Sequence, residues 1–312
     1  MARIAIIGPG AIGGTLAGNL LRSGQHEIVL CGRRPVEMVR VRFPDGQSIT
    51  TGPVVAEPGS VPAGEFDWLI VASKTYAAEE TAVWLRHLMS GSTRVAIFQN
   101  GVEHRERFAP WVAGNRLVPV IIDCPAERPT PDEVVQRGDL NVVAPDDAGG
   151  QALRQLFADV NEHFVLTDDI LTAAWRKLTR NSIAVLNAMT LQPNVIMHEP
   201  AMAKAALQIA REAIAVGRAA GAKLSDDLAE WVIAATLEES PDGVNSLLAD
   251  RLAGRETELD ARNGAIVRTG EKLGVPTPLN SMGVAVVEAQ ICKEQTNCDQ
   301  GQLAGFFERN RR

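Results

Sequence analysis

The stretch Arg3-Ile4-Ala5-Ile6-Ile7-Gly8-Pro9-Gly10-Ala11-Ile12-Gly13 decides the fold of this chain. An apolar run, a glycine turn and a helix-like segment from Ala11 to Ser23 succeed one another in the order of a dinucleotide site. The first glycine permits a tight turn, the second lets backbone approach a pyrophosphate, and the third allows close helix-to-strand packing. Phosphates would then sit against Gly8, Gly10, Ala11, Ile12 and Gly13, where unpaired N–H groups and the helix dipole favour an anion. G-x-G-x-x-G alone is a weak signal, so its surroundings must carry the reading. They do so here, because a second apolar run, His26 to Cys31, begins where a helix would have crossed back over the sheet and closes a βαβ unit of about 30 residues.

The residues just after that second strand select the cofactor. An NAD site places Asp or Glu there for the ribose hydroxyls, whereas this chain has Gly32-Arg33-Arg34-Pro35, whose guanidinium groups suit a 2′-phosphate. The expectation is NADPH/NADP+, with two solvated surface arginines as the alternative.

A length of 312 residues predicts two domains, and 46% apolar with 22% charged residues describes an ordinary soluble globular protein. A formal charge of −7 without a long basic run argues against nucleic acid or an anionic membrane as a partner. No stretch of about 18 uncharged apolar residues predicts a transmembrane helix, and the amino terminus, interrupted by Gly8-Pro9-Gly10, reads as mature sequence, so the expected location is cytoplasmic. Cys31, Cys124, Cys292 and Cys298 form no C-x-x-C and no Cys/His cluster of zinc spacing. They read as free thiols, with a Cys292 to Cys298 disulfide open only in an oxidising compartment. No metal site is expected.

The two halves of the chain differ in pattern. Up to about Val165, short apolar runs alternate with helical segments: Trp68 to Ala72, Val95 to Phe98, Val118 to Ile122 and, beyond Pro125, Pro129 and Pro131, Leu140 to Ala144. Alternation of this kind predicts a mostly parallel sheet with crossover helices, the later strands leaving antiparallel pairing open. Beyond Asp169 the periodicity is helical over Leu171 to Met189, Met202 to Ala220, Asp226 to Glu238, Ser246 to Leu252, Thr257 to Leu273 and Ser281 to Glu294. Gly221 and Gly274 read as helix stops, Ser225 and Asn280 as N-caps. The predicted fold is an α/β Rossmann-type domain over residues 1–168, binding NADP, followed by an all-helical substrate and catalytic domain over residues 169–312.

In an open parallel sheet ligands bind beyond the carboxyl ends of the strands, which singles out Ser73-Lys74 and Gln99-Asn100-Gly101. Lys74 fits the cofactor or a plain surface position; Asn100 fits a substrate carboxylate, the cofactor or the turn that Asn-Gly favours. In the helical half, Lys177 and Asn181 stand four apart and share one helix face, continued by Val185. Such a face reads either as solvated surface or as a lysine poised to donate a proton.

At Ser246-Leu247-Leu248-Ala249-Asp250 and Thr257-Glu258-Leu259-Asp260 the chain comes to resemble the ketopantoate reductase (2-dehydropantoate 2-reductase) family. The resemblance spans nearly the whole chain: Gly8 to Gly13, Asn100-Gly101, the W-x-K-L-x-x-N segment from Trp175 to Asn181, Ser246 to Asp250, Thr257 to Asp260 with Asn263-Gly264, and Gly274-Val275-Pro276-Thr277-Pro278. It implies NADPH-dependent reduction of a 2-oxo acid, foremost ketopantoate in pantothenate biosynthesis, in the cleft between the two domains. By resemblance Lys177 is the general acid that meets the developing alkoxide and Glu258 positions it; Ser246 and Asn100 hold the carboxylate and Asn181 the hydroxyl side; Arg33 and, less strongly, Arg34 take the 2′-phosphate. A homodimer also stays open.

One departure bears on the substrate. Family members commonly carry a second asparagine four residues after the first, where this chain has Val185. Asn187 lies roughly 80° around the helix from Lys177 and replaces that amide only if the helix bends or ends early. Reduction of another branched 2-oxo acid is therefore the alternative within the family, and a non-catalytic NADP(H)-binding sensor the alternative outside catalysis.

Overall fold

The computed structural model describes residues 1–296 and divides into two compact units, Met1–Ala174 and a second beginning at Trp175. Cys298 lies outside the described residues. The first unit is built on a six-stranded, wholly parallel sheet in the order Val54–Val55, His26–Cys31, Ala2–Ile7, Trp68–Val71, Arg94–Ile97, Leu117–Pro119. In chain order these strands run 3-2-1-4-5-6, the doubly wound arrangement, and the order reverses beside Ala2–Ile7. Both faces are covered, which explains the unbroken apolar runs: Ile4, Ile6 and Ile70 pack on one side with Leu16 and Leu20 of the helix Ala11–Arg22, while Ala5, Ile7, Leu69 and Val71 pack on the other with Leu85 and Leu88.

Two smaller sheets depart from the expected alternation. The apolar run from Val118 to Ile122 is split, its first part closing the main sheet and Ile121–Asp123 leaving to pair antiparallel with Asn141–Pro145, which pairs parallel with Phe164–Thr167. Pro119 has no N–H to donate, so the break falls where the ladder already lacks a donor, on an edge strand. A further sheet of Ala126–Thr130, Glu133–Gln136, Arg40–Arg42 and Ser48–Thr50 packs on the helix Ala11–Arg22, with Asn19 Nδ2 donating to Gln136 Oε1 at 2.9 Å in the buried contact. Three-residue strands with polar outer faces carry too little pattern to be read from sequence.

Every described element of the second unit is helical. The span from Leu171 to Met189 is not one helix but two, Ile170–Ser182 and Ala184–Thr190, broken at Ile183. Asn263 Nδ2 takes the Ser182 carbonyl at 2.9 Å, so the Leu186 amide turns to Ile183 O at 3.1 Å instead. Thr257 to Leu259 lie outside the expected helix, which opens with a π turn over Asp260–Gly264 before Ala265–Leu273. Gly221 and Gly274 do end helices, both with φ in the left-handed region.

Neither expected N-cap acts as one. Asp227 occupies the cap position before Leu228–Glu238 and makes no side-chain cap, so Ser225 lies outside that role. Asn280 is fully buried inside the helix Pro278–Thr296, and Glu212 caps in its place by accepting from the Leu279 and Asn280 amides at 2.9 and 3.0 Å.

Candidate active site

The glycine loop sits at the switch point of the main sheet. Gly8 has φ +88°, and a Cβ there would stand 2.4 Å from Ser73 Cα, so the turn and the neighbouring strand end leave no room for a side chain. A Cβ on Gly13 would stand 2.3 Å from the Gly8 carbonyl oxygen, whereas one on Gly10 would meet nothing within 4 Å. Two of the three glycines thus answer to packing and the third faces open space. The Ala11–Arg22 helix has no side-chain cap and no acidic residue in its first turn, while Asp147 caps the helix Ala148–Leu156 by accepting from Gly149 and Gly150 at 2.8 Å. The uncapped amide end, bordered by Ala11 and Ile12, is fit for the diphosphate of a dinucleotide.

Arg33 and Arg34 come directly after the second strand and are exposed, without a hydrogen bond or ion pair among the described residues, so both are available to a 2′-phosphate. Lys74 and Asn100 are half-buried on the loops after their strands, and Gly101 beside Asn100 has φ +99°. Buried Gln99 ties these loops together, its Nε2 donating to the Ser73 carbonyl at 3.0 Å and Ser73 Oγ at 3.1 Å. A residue of the small sheet reaches the same region: Arg128 donates to the carbonyls of Pro9 and Pro131. Its strand shifts register between Glu127 and Thr130, the bulge that turns this arginine toward the glycine loop, and burial lowers the guanidinium pKa. Sequence reasoning singled out the Gln99 segment but missed Arg128, whose bond to Pro9 spans 119 residues and leaves no local signature.

Lys177 owes its direction to Trp175. On the helix Ile170–Ser182 the buried stripe is Trp175, Leu178, Thr179 and Ser182, and Lys177 is about 200° around from Trp175, on a half-exposed face shared with Asn181. Arg176 stacks over Trp231 at 5.0 Å and Arg180 pairs with Glu239 at 2.9 Å, fixing the helix from outside its core. The break at Ile183 carries Val185 off that face into the core, fully buried, where a Cβ on Gly283 would stand 2.9 Å from its Cγ2. Asn187 is also buried and donates to the Gln192 carbonyl at 3.0 Å, so it is spent on the end of its own helix.

Ser246 is bonded by Arg262, whose charge Glu258 supports from nearby. Ser246 opens the helix Ser246–Leu252, whose N-cap Asn245 accepts from the Leu248 amide at 3.0 Å. Ser246 is exposed, and Arg262, buried in the π turn, donates from Nη2 to its Oγ at 2.7 Å. Burial lowers the Arg262 pKa, while the charges of Glu258 and Asp250 hold it up. Asp250 pairs in turn with Arg255 at 2.9 Å. Asn263, the next residue, binds both Ser182 O and Asn280 Oδ1 at 2.9 Å, which ties the Lys177 helix to the turn just beyond Glu258. Asn245, Arg262 and the break at Ile183 went unread in the sequence, since each depends on its partner rather than on its own spacing.

Burial pushes the Cys31 and Cys124 thiols up to about 12, helped at Cys124 by Asp123 and Asp139, so neither offers a thiolate near neutral pH. Among the described residues no group of three His, Cys, Asp or Glu is placed to hold a metal, and no helix is long and apolar enough to cross a membrane.

A doubly wound dinucleotide fold followed by a helical unit bearing a buried carboxylate and a half-exposed lysine defines a nicotinamide-dependent oxidoreductase. Residues 4–148 match the family model described as "Ketopantoate reductase PanE/ApbA", and residues 169–290 the model "Ketopantoate reductase PanE/ApbA C terminal". A 2-dehydropantoate 2-reductase of Caulobacter vibrioides is 44% identical over 289 residues, 93% of this chain and 99% of that protein. Among solved structures, a 2-dehydropantoate 2-reductase from Geobacter metallireducens is 26% identical with TM-score 0.84, covering 92% of this chain and 99% of that one. A dimeric ketopantoate reductase from Staphylococcus aureus is 24% identical with TM-score 0.84, covering 94% and 99%. The chain belongs to the ketopantoate reductase family, which comprises NADPH-dependent oxidoreductases.

Proposed function

We propose that this chain reduces 2-dehydropantoate to pantoate with NADPH, as a cytoplasmic homodimer. The placement of Lys177 carries the reading: it is half-buried on the helix face turned away from buried Trp175, and that helix is anchored to the turn just beyond Glu258. NADPH, when bound, supplies a hydride to the carbonyl carbon of the substrate. Lys177 then faces an oxygen gaining negative charge, which its ammonium stabilises and protonates. Glu258, buried two residues before the π turn, positions the lysine. Ser246 and Asn100 donate to the substrate carboxylate, and Asn181 to its hydroxyl side. In the first unit Gly8, Gly10, Ala11, Ile12 and Gly13 seat the diphosphate, Arg33 with Arg34 takes the 2′-phosphate, and Lys74 lies along the cofactor. The homodimer is supported by the Staphylococcus aureus protein of the same fold.

A second reading within this chemistry rests on Val185 and Asn187. Both are buried, Val185 has no amide and the amide of Asn187 is bonded to the Gln192 carbonyl, so the terminal hydroxyl of 2-dehydropantoate lacks one donor common in the family, a loss of about 1–3 kcal/mol where that hydroxyl is buried. Another branched 2-oxo acid would not feel that loss. The test is kcat/KM for 2-dehydropantoate beside 2-oxoisovalerate, monitored by NADPH absorbance. A preference of at least about tenfold for 2-dehydropantoate is expected, one well-made hydrogen bond being worth that factor. Parity selects the other acid, and no turnover with either returns the chain to a cofactor sensor.

A further inference from the structure

Arg262 is a cation in an unusual position. It is 3% exposed, yet no carboxylate among the described residues lies within ion-pair distance of it, and its buried Nε has no hydrogen-bond partner. The hydrogen bond it does make goes to Ser246 Oγ at 2.7 Å. An arginine can only donate, so the serine oxygen must accept, and the hydroxyl proton of Ser246 is left to point elsewhere. Ser246 is exposed and makes no other hydrogen bond among the described residues. The surrounding charge matters as well: Glu258 and Asp250 are both buried and their charges hold the Arg262 guanidinium ionised, Asp250 being paired in addition with Arg255.

We propose that Arg262 is a positioning residue for substrate anion recognition, acting through Ser246. The guanidinium fixes the serine hydroxyl as an outward donor and strengthens that donor by polarising it. A neutral hydroxyl at the end of a buried cation thereby becomes selective for a carboxylate, the group every 2-oxo acid presents. The π turn contributes by geometry: the Gly264 amide bonds the Leu259 carbonyl at 3.1 Å, and the widened turn seats Arg262 beneath Ser246. This inference rests on the reading of Ser246 as a carboxylate contact.

The experiment compares Ser246→Ala, Arg262→Lys, Arg262→Met and the double variant Ser246→Ala/Arg262→Lys. KM and kcat are read for 2-dehydropantoate and for its neutral lactone, together with Kd for NADPH. Arg262→Lys keeps the buried charge but not the planar fork, so it stays informative if Arg262→Met fails to fold. Arg262→Lys is expected to raise KM for the acid about tenfold, to change kcat/KM for the lactone less than about threefold, and to leave Kd for NADPH within twofold. The double variant is expected to be no worse than Ser246→Ala, because both remove the same donor. A raised KM in Ser246→Ala with an unchanged one in Arg262→Lys overturns the relay alone. Equal losses on acid and lactone, or additive losses in the double variant, overturn it too. A normal KM for the acid in Ser246→Ala overturns the reading of Ser246 and the relay with it.

Discussion

The two units build their candidate sites from different parts of the chain. In the first, the backbone carries the proposed recognition: Gly8 and Gly13 are required by contacts under 2.5 Å that a side chain would make, and the uncapped start of Ala11–Arg22 presents amides rather than functional groups. In the second, side chains carry it. Arg262 reaches Ser246, Asn263 reaches Ser182 and Asn280, and Glu212 caps the helix Pro278–Thr296 from another element. A backbone-built site imposes residue types at fixed spacing, whereas a side-chain network imposes only that its partners meet in space.

The strongest way to break this contrast is Gly8→Ala. The new Cβ would fall 2.4 Å from Ser73 N and Cα at φ +88°, so a loss of at least about 100-fold in NADPH affinity is expected by titration of the bound cofactor. Binding within a few-fold of the parent would mean that the backbone tolerates what the geometry forbids.

Next in size is cofactor choice. Arg33→Asp combined with Arg34→Ala removes two exposed guanidinium groups, and a preference for NADPH over NADH should narrow by about tenfold or more, as the loss of a charge-assisted contact of about 1.5–3 kcal/mol requires. Equal kcat/KM with both cofactors in the parent protein would remove these arginines from the cofactor site.

Asn263→Ala sharpens the comparison from the other side. Two buried hydrogen bonds of 2.9 Å disappear, so unfolding in urea should show a loss of about 1–3 kcal/mol, with NADPH affinity unchanged because the glycine loop is untouched. The smallest effect belongs to the thiols. Cys31 and Cys124 ionise at their ordinary 9.0 in the unfolded chain but at about 12 when folded, so they add stability below pH 9 and lose it as pH rises from 9 toward 12. Urea midpoints across that range should fall, and at pH 8 native alkylation should mark exposed Cys292 well ahead of either. Rapid labelling of Cys31 would contradict its burial.

Legibility in the sequence divides along the same line. The doubly wound sheet was legible because buried parallel strands are continuous apolar runs, and the glycine loop because Gly8 and Gly13 leave no room for a side chain while Gly10 faces open space at the helix start. Lys177 and Asn181 were legible as one helix face because they stand four residues apart. The break at Ile183 was not, because the group that takes the Ser182 carbonyl is 81 residues away; missing it left Val185 on the Lys177 face, and the bond of Asn187 to the Gln192 carbonyl was likewise unread. Arg128 at Pro9 and Arg262 at Ser246 were hidden for the same reason, each an ordinary arginine until its partner is in place. Short strands such as Arg40–Arg42 carried too few residues to show a period.

The central claim is that the first unit holds the cofactor and Lys177 of the second supplies the proton. It is tested most directly by Lys177→Ala, with kcat for 2-dehydropantoate and Kd for NADPH measured on the same folded preparation. The expected result is a fall in kcat of at least about 100-fold, the scale of losing a general acid, with Kd for NADPH within twofold of the parent. A near-normal kcat, with the helical content intact by circular dichroism, would contradict the account and leave Lys177 a charge on a half-exposed helix face.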